Sequence, residues 1–131
     1  MDDPASSYSL SWRDEACLPN LNGNTVLNYF CQTSNPFYDR TCNNEIIKMQ
    51  RLNISALVNM CGIEYELITN QEPALYVICK QKRVNVNSAV PIAYYYILNG
   101  TVYQCPDALC FVRNKLVRLI HIQIRHHPFF F

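Results

Sequence analysis

The chain has 131 residues, half of them apolar and 16% charged, which suits one domain with a buried core and excludes a disordered chain. Its net charge is +1, but residues 1–70 carry four basic and eight acidic residues, and residues 71–131 carry seven and two. The basic second half suits a partner-facing surface and is too weakly charged for a dedicated nucleic-acid binder.

Residues 1–22 read as an extended or irregular arm, with Trp12, the only tryptophan, pinning it to the core. A first helix is expected from a cap at Asn24 or Thr25 through Leu27, Phe30 and Cys31. The second lies within Ser34–Leu52, the most chemically dense stretch of the chain. There Asn35-Pro36 is a helix start signal, and Cys42, Ile46 and Met49 recur on one helical face. A separate turn over Pro36 to Arg40 is the alternative. In a third helix Asn53 is the cap, Ile54, Leu57, Val58 and Cys61 share a face, and Gly62 suits the position just past the end.

The periodicity then changes to that of strands. Ile63 to Thr69 sets Ile63, Tyr65 and Leu67 against Glu64 and Glu66, a half-buried strand with the glutamates on its solvated side. Gln71-Glu72-Pro73 makes a turn, and Leu75 to Gln81, apolar on both faces, reads as a central strand. A basic cluster, Lys80 to Arg83, ends it, and a polar loop follows over Asn85 to Ser88. Ala93 to Leu98 and Thr101 to Gln104 flank Asn99-Gly100, the strongest short hairpin signal a sequence offers. Pro106-Asp107 opens a terminal helix with Leu109, Val112 and Leu116 at helical spacing. From Leu119 a strand period replaces it, so the domain is assigned to residues 1–118 and residues 119–131 to a divergent tail outside the fold. The fold class is α+β: N-terminal helices, a small antiparallel sheet of three or four strands, and a C-terminal helix.

Catalytic chemistry finds few residues to use. All three histidines fall in the last eleven residues, so the body has no imidazole to activate a serine or cysteine. Three glycines are too sparse for a phosphate-binding loop. Seven cysteines without a CxxC pair suit reduced, mostly buried thiols, and no cofactor or metal is expected. No stretch approaches the roughly 20 apolar residues of a membrane span, and Asp2-Asp3 opens the chain unlike a secretory leader. Lys80, Lys82 and Arg83 beside Tyr94, Tyr95 and Tyr96 suggest a stacking-and-phosphate surface, the alternative function. Strand alternation argues against it, because Tyr95 points away from Tyr94 and Tyr96. The residues alone leave a protein–protein interaction domain.

The segment Asn35-Pro36-Phe37-Tyr38-Asp39-Arg40-Thr41-Cys42-Asn43-Asn44-Glu45, continuing to Lys48-Met49-Gln50-Arg51, resembles the signature of Mediator complex subunit 6. Ser11-Trp12-Arg13-Asp14 and Val26-Leu27-Asn28-Tyr29-Phe30 resemble that family's N-terminal pieces. Gln71-Glu72-Pro73, Leu75-Tyr76-Val77-Ile78, Pro91-Ile92-Ala93 and Gly100-Thr101-Val102-Tyr103-Gln104 follow its pattern in order. The visible resemblance covers about residues 10 to 112 and fades after about Leu116. Tyr94 departs from it, standing where the family often has an acidic residue. The resemblance implies a nuclear, non-enzymatic subunit of the Mediator head module. Its partners would be other Mediator subunits and, indirectly, the RNA polymerase II machinery, with no nucleic acid, membrane or small-molecule substrate bound directly. Asn35, Pro36, Phe37, Tyr38, Asp39 and Arg40 form the candidate site. Two readings of it stay open: Phe37 and Tyr38 as core with an Asp39–Arg40 ion pair, or direct contact with a partner.

Overall fold

The computed structural model describes residues 10–106. An antiparallel sheet in the order β1-β5-β4-β3-β2 is built from β1 (Ser11–Trp12), β2 (Gly62–Gln71), β3 (Leu75–Asn85), β4 (Ser88–Leu98) and β5 (Thr101–Gln104). Two short helices, α1 (Val26–Phe30) and α2 (Asn43–Met49), and two 3-10 helices, Glu15–Asn20 and Ile54–Asn59, complete the described chain. The α+β class holds, with one strand more than expected. The extra strand comes from the arm: Ser11 pairs with Tyr103 and Trp12 with Val102. Trp12 does anchor it, since its indole Nε1 donates to Ser34 Oγ at 3.1 Å and its ring lies 4.9 Å from that of Tyr29. The expected terminal helix from Asp107 and the tail 119–131 lie outside the described residues.

The strands follow their side-chain chemistry. β3 is apolar on both faces because both are buried: Tyr76 and Ile78 join the helix-side core, and Leu75, Val77 and Cys79 join a second cluster. Tyr95 sits in the first cluster and Tyr94 and Tyr96 in the second, so no exposed tyrosine row forms. Between β4 and β5, Asn99 and Gly100 take the positive φ values, 49° and 91°, that a two-residue hairpin turn requires. β3 does not end at its basic cluster but runs on to Asn85, opposite Ser88. Pro91 is tolerated inside β4 because β5 pairs only with residues 95–98, leaving the proline without a neighbour on that side.

Three expectations are corrected. α2 does not begin at Asn35-Pro36: the alternative, a separate turn over Pro36 to Arg40, precedes it, and the helix starts after Cys42. Its buried residues are Asn43, Asn44 and Ile47, while Met49 is 76% exposed. The third helix is a 3-10 helix that buries only Leu57 and leaves Ile54, Val58 and Cys61 exposed. A 3-10 repeat of three residues per turn cannot align positions chosen for a period of 3.6. Asn53 does cap it, accepting from Ser55 N–H at 2.9 Å, but Gly62 (φ 128°) begins β2. Glu64, expected on a solvated face, is 2% exposed and ion-paired with Arg83. β3 is long enough to bring the guanidinium beside it, which is what makes that burial tolerable.

Phe30 is fully buried at the centre of the helix-side core, 5.3 Å from the Tyr65 ring, 5.2 Å from Tyr95 and 6.2 Å from Tyr38. Burying such a side chain is worth about 1.5–3 kcal/mol, so this aromatic group is the main tie between the helical segment and the sheet.

Candidate functional site

The six candidate residues form a tight turn pressed on the sheet. Asn35 is buried and organises it: its Nδ2 donates to Phe30 C=O at 2.8 Å, and its Oδ1 accepts from Phe37 N–H at 2.9 Å. This local turn uses both ends of the Asn35 amide, leaving none to cap a helix. Phe37 and Tyr38 are buried against Tyr95 and Tyr65, with ring centroids 5.4 Å and 5.3 Å apart. Pro36 and Arg40 are exposed.

Hydroxyl groups stitch this turn to its neighbours. Tyr65 Oη donates to Phe37 C=O at 3.2 Å and accepts from Asp39 N–H at 2.9 Å. Tyr38 Oη donates to Glu45 Oε2 at 2.7 Å and accepts from Cys42 Sγ at 3.2 Å. Burial pushes both phenols far above their ordinary range, so they act as neutral donors at any physiological pH. The Asp39–Arg40 ion pair of the core reading is absent among the described residues. Asp39 accepts instead from Thr41, at 2.6 Å from Oγ1 and 2.9 Å from N–H, and these bonds hold its carboxyl below the usual range. A next-neighbour guanidinium cannot match two such short, preformed donors.

The residues that join this segment to the sheet are ones the sequence reading did not single out. Asn44 makes both hydrogen bonds a neighbouring strand would make to Tyr65, accepting from its N–H at 2.8 Å and donating to its C=O at 3.0 Å. Tyr65 lies on β2, the edge strand, so one side chain closes part of an open edge. Asn43 Nδ2 donates to Met60 C=O at 3.1 Å and Cys61 C=O at 3.2 Å, holding the entry to the same strand. The available signal was two consecutive asparagines, poor helix formers, at a helix start. Among the described residues no group of three or more His, Cys, Asp or Glu converges to hold a metal, and no helix is long and apolar enough to cross a membrane.

A sequence model described as MED6 mediator sub complex component matches residues 10–126. The chain belongs to the Mediator subunit 6 family. Among its curated relatives, the Mediator of RNA polymerase II transcription subunit 6 of Danio rerio is 46% identical over 112 residues, covering 86% of this chain and 44% of the relative. The Drosophila melanogaster protein is 49% identical over 111 residues, covering 85% and 45%. The chain therefore spans less than half the length of these two relatives. Its fold is similar to that of the Schizosaccharomyces pombe Mediator subunit Med6, with a TM-score of 0.72, 31% identity, and coverage of 96% of this chain and 92% of that one. It is also similar to a chain of the S. pombe Mediator head module, with a TM-score of 0.69, 29% identity, and coverage of 92% and 85%.

Proposed function

We propose that the chain is a non-enzymatic, architectural subunit of the Mediator head module that works in the nucleus in transcription by RNA polymerase II. The observation that carries this reading is the similarity of 92% of this chain to a chain of the S. pombe Mediator head module. The internal chemistry agrees with it. The side chains of Asn35, Tyr38, Asn43 and Asn44 bond within the segment and to the sheet and its approach, as suits a rigid joint. In this reading Asn35, Phe37, Tyr38 and Asp39 hold the joint, and exposed Pro36 and Arg40 are the members offered to a partner. A nucleic-acid module finds less support, because Tyr94, Tyr95 and Tyr96 are buried and cannot stack on bases.

The test is affinity purification of the tagged full chain from nuclear extract, followed by mass spectrometry. Head-module subunits at near-equal abundance support the reading; their absence from a well-folded, nuclear bait contradicts it.

A further inference from the structure

Single exposed apolar side chains need no explanation, but contiguous ones mark an interaction surface. Of the nine large apolar residues exposed among the described residues, eight fall in two short segments. Met49, Leu52, Ile54 and Val58 lie at the end of α2 and along the second 3-10 helix. Val84, Val86, Val90 and Ile92 lie on the far part of the β3–β4 hairpin. These segments meet, since Cys61 Sγ lies 3.6 Å from Val84 C=O and the 3-10 helix packs beside β3. Register carries the surface across the sheet: Ile63 opposes Lys82, and Lys82 opposes Val90. At the α2 end the surface opens into a groove of about 220 Å³, lined in part by Leu27, Ile47, Leu52 and Ile54.

Charge selects the occupant. Residues 46–63 contain Lys48 and Arg51 and no acidic residue, and residues 80–92 contain Lys80, Lys82 and Arg83 and no acidic residue. Arg83 is engaged by Glu64, while Lys48, Arg51 and Lys82 form no ion pair with a described residue. The surface is aliphatic rather than aromatic, which suits an apolar peptide face and not stacked bases.

We infer that this basic, aliphatic belt docks a segment of a neighbouring protein chain in which apolar residues are interspersed with Asp and Glu. The inference rests on the subunit reading and names the chemistry of one of its contacts. Apolar residues of the segment fill the groove and cover the hairpin valines, and its carboxylates meet Lys48, Arg51 and Lys82.

Photo-crosslinking amino acids at Ile54 and Val90 of the full chain, with one at Asn20 as control, test this in complexes purified through a different Mediator subunit. Ile54 and Val90 should capture peptides of one partner chain that are apolar and carry Asp or Glu; Asn20 should not capture them. A Lys48→Glu/Arg51→Glu/Lys82→Glu variant should lose about tenfold in incorporation at moderate salt, with a melting temperature close to that of the unsubstituted chain. An Ile54→Ser/Val90→Ser variant should do the same with weaker salt dependence. If the chain is incorporated but the probes capture no protein, nucleic acid only, or segments without acidic residues, the belt inference is overturned and the subunit reading stands. If the unsubstituted chain is never incorporated, both fall.

Discussion

The side-chain amide of Asn44 is paired with the backbone of Tyr65 through two hydrogen bonds, 2.8 Å and 3.0 Å long, both buried. The same tyrosine reaches back through its hydroxyl to Phe37 C=O and Asp39 N–H. Tyr65 is thus held at its backbone by α2 and at its tip by the turn before α2. The helical segment and the edge strand are fixed as one unit by two residues.

Asn44→Ala leaves the Tyr65 N–H and C=O without partners in a buried setting, where each costs about 1–3 kcal/mol. We predict a loss of about 2–4 kcal/mol in urea unfolding with an unchanged m-value. Asn44→Asp should be at least as damaging at pH 7, because a carboxylate accepts from the N–H but repels the carbonyl. Equal stability of either variant and the unsubstituted chain would remove the edge-closing role.

Tyr65→Phe keeps the ring contacts with Phe30 and Tyr38 but removes the bridging hydroxyl. A loss of about 1–3 kcal/mol is expected, with slower-exchanging amides retained in β3 and the Asp39 amide losing protection in hydrogen exchange.

Tyr76 gives the opposite expectation. Its hydroxyl is buried with no hydrogen-bond partner among the described residues, and burial raises its pKa. Tyr76→Phe removes a desolvated polar atom and keeps the ring. Thermal denaturation should show unchanged or higher stability, within about 1 kcal/mol. A clear destabilisation would reveal a partner for that oxygen.

Arg40 is exposed and unpaired with Asp39, so Arg40→Ala should change stability by less than about 0.5 kcal/mol. Asp39 itself is bound by Thr41, and its folded pKa lies below its ordinary value. A depressed carboxyl pKa contributes stability that is present above the unfolded pKa, about 3.9, and lost as pH falls through the folded value. The stability of the unsubstituted chain relative to Asp39→Asn should therefore be constant near neutrality and shrink below about pH 4.

Strands with strong local grammar were legible in the sequence. The Asn99-Gly100 hairpin and the two-faced apolar run of β3 stand where propensity and pattern place them. Elements decided by distant partners were not. Glu64 reads as solvated until Arg83, nineteen residues on, is brought beside it. Ser11–Trp12 reads as irregular because two residues carry no period, and only pairing with β5 makes them a strand. Asn35-Pro36 has the residues of a helix start, yet the Asn35 amide is claimed by Phe30 and Phe37. Within the signature segment, aromatic burial could be anticipated from composition. The role of Asn43 and Asn44 depends on backbone groups of β2 and its approach that no local pattern reveals.

The most direct measurement is the stoichiometry of this chain in Mediator purified from nuclei through a different head subunit, by quantitative mass spectrometry. An architectural subunit should be present at about one copy per complex, reduced by Asn44→Ala in proportion to the unfolded fraction. A folded, nuclear chain found at background level in that purification would contradict it.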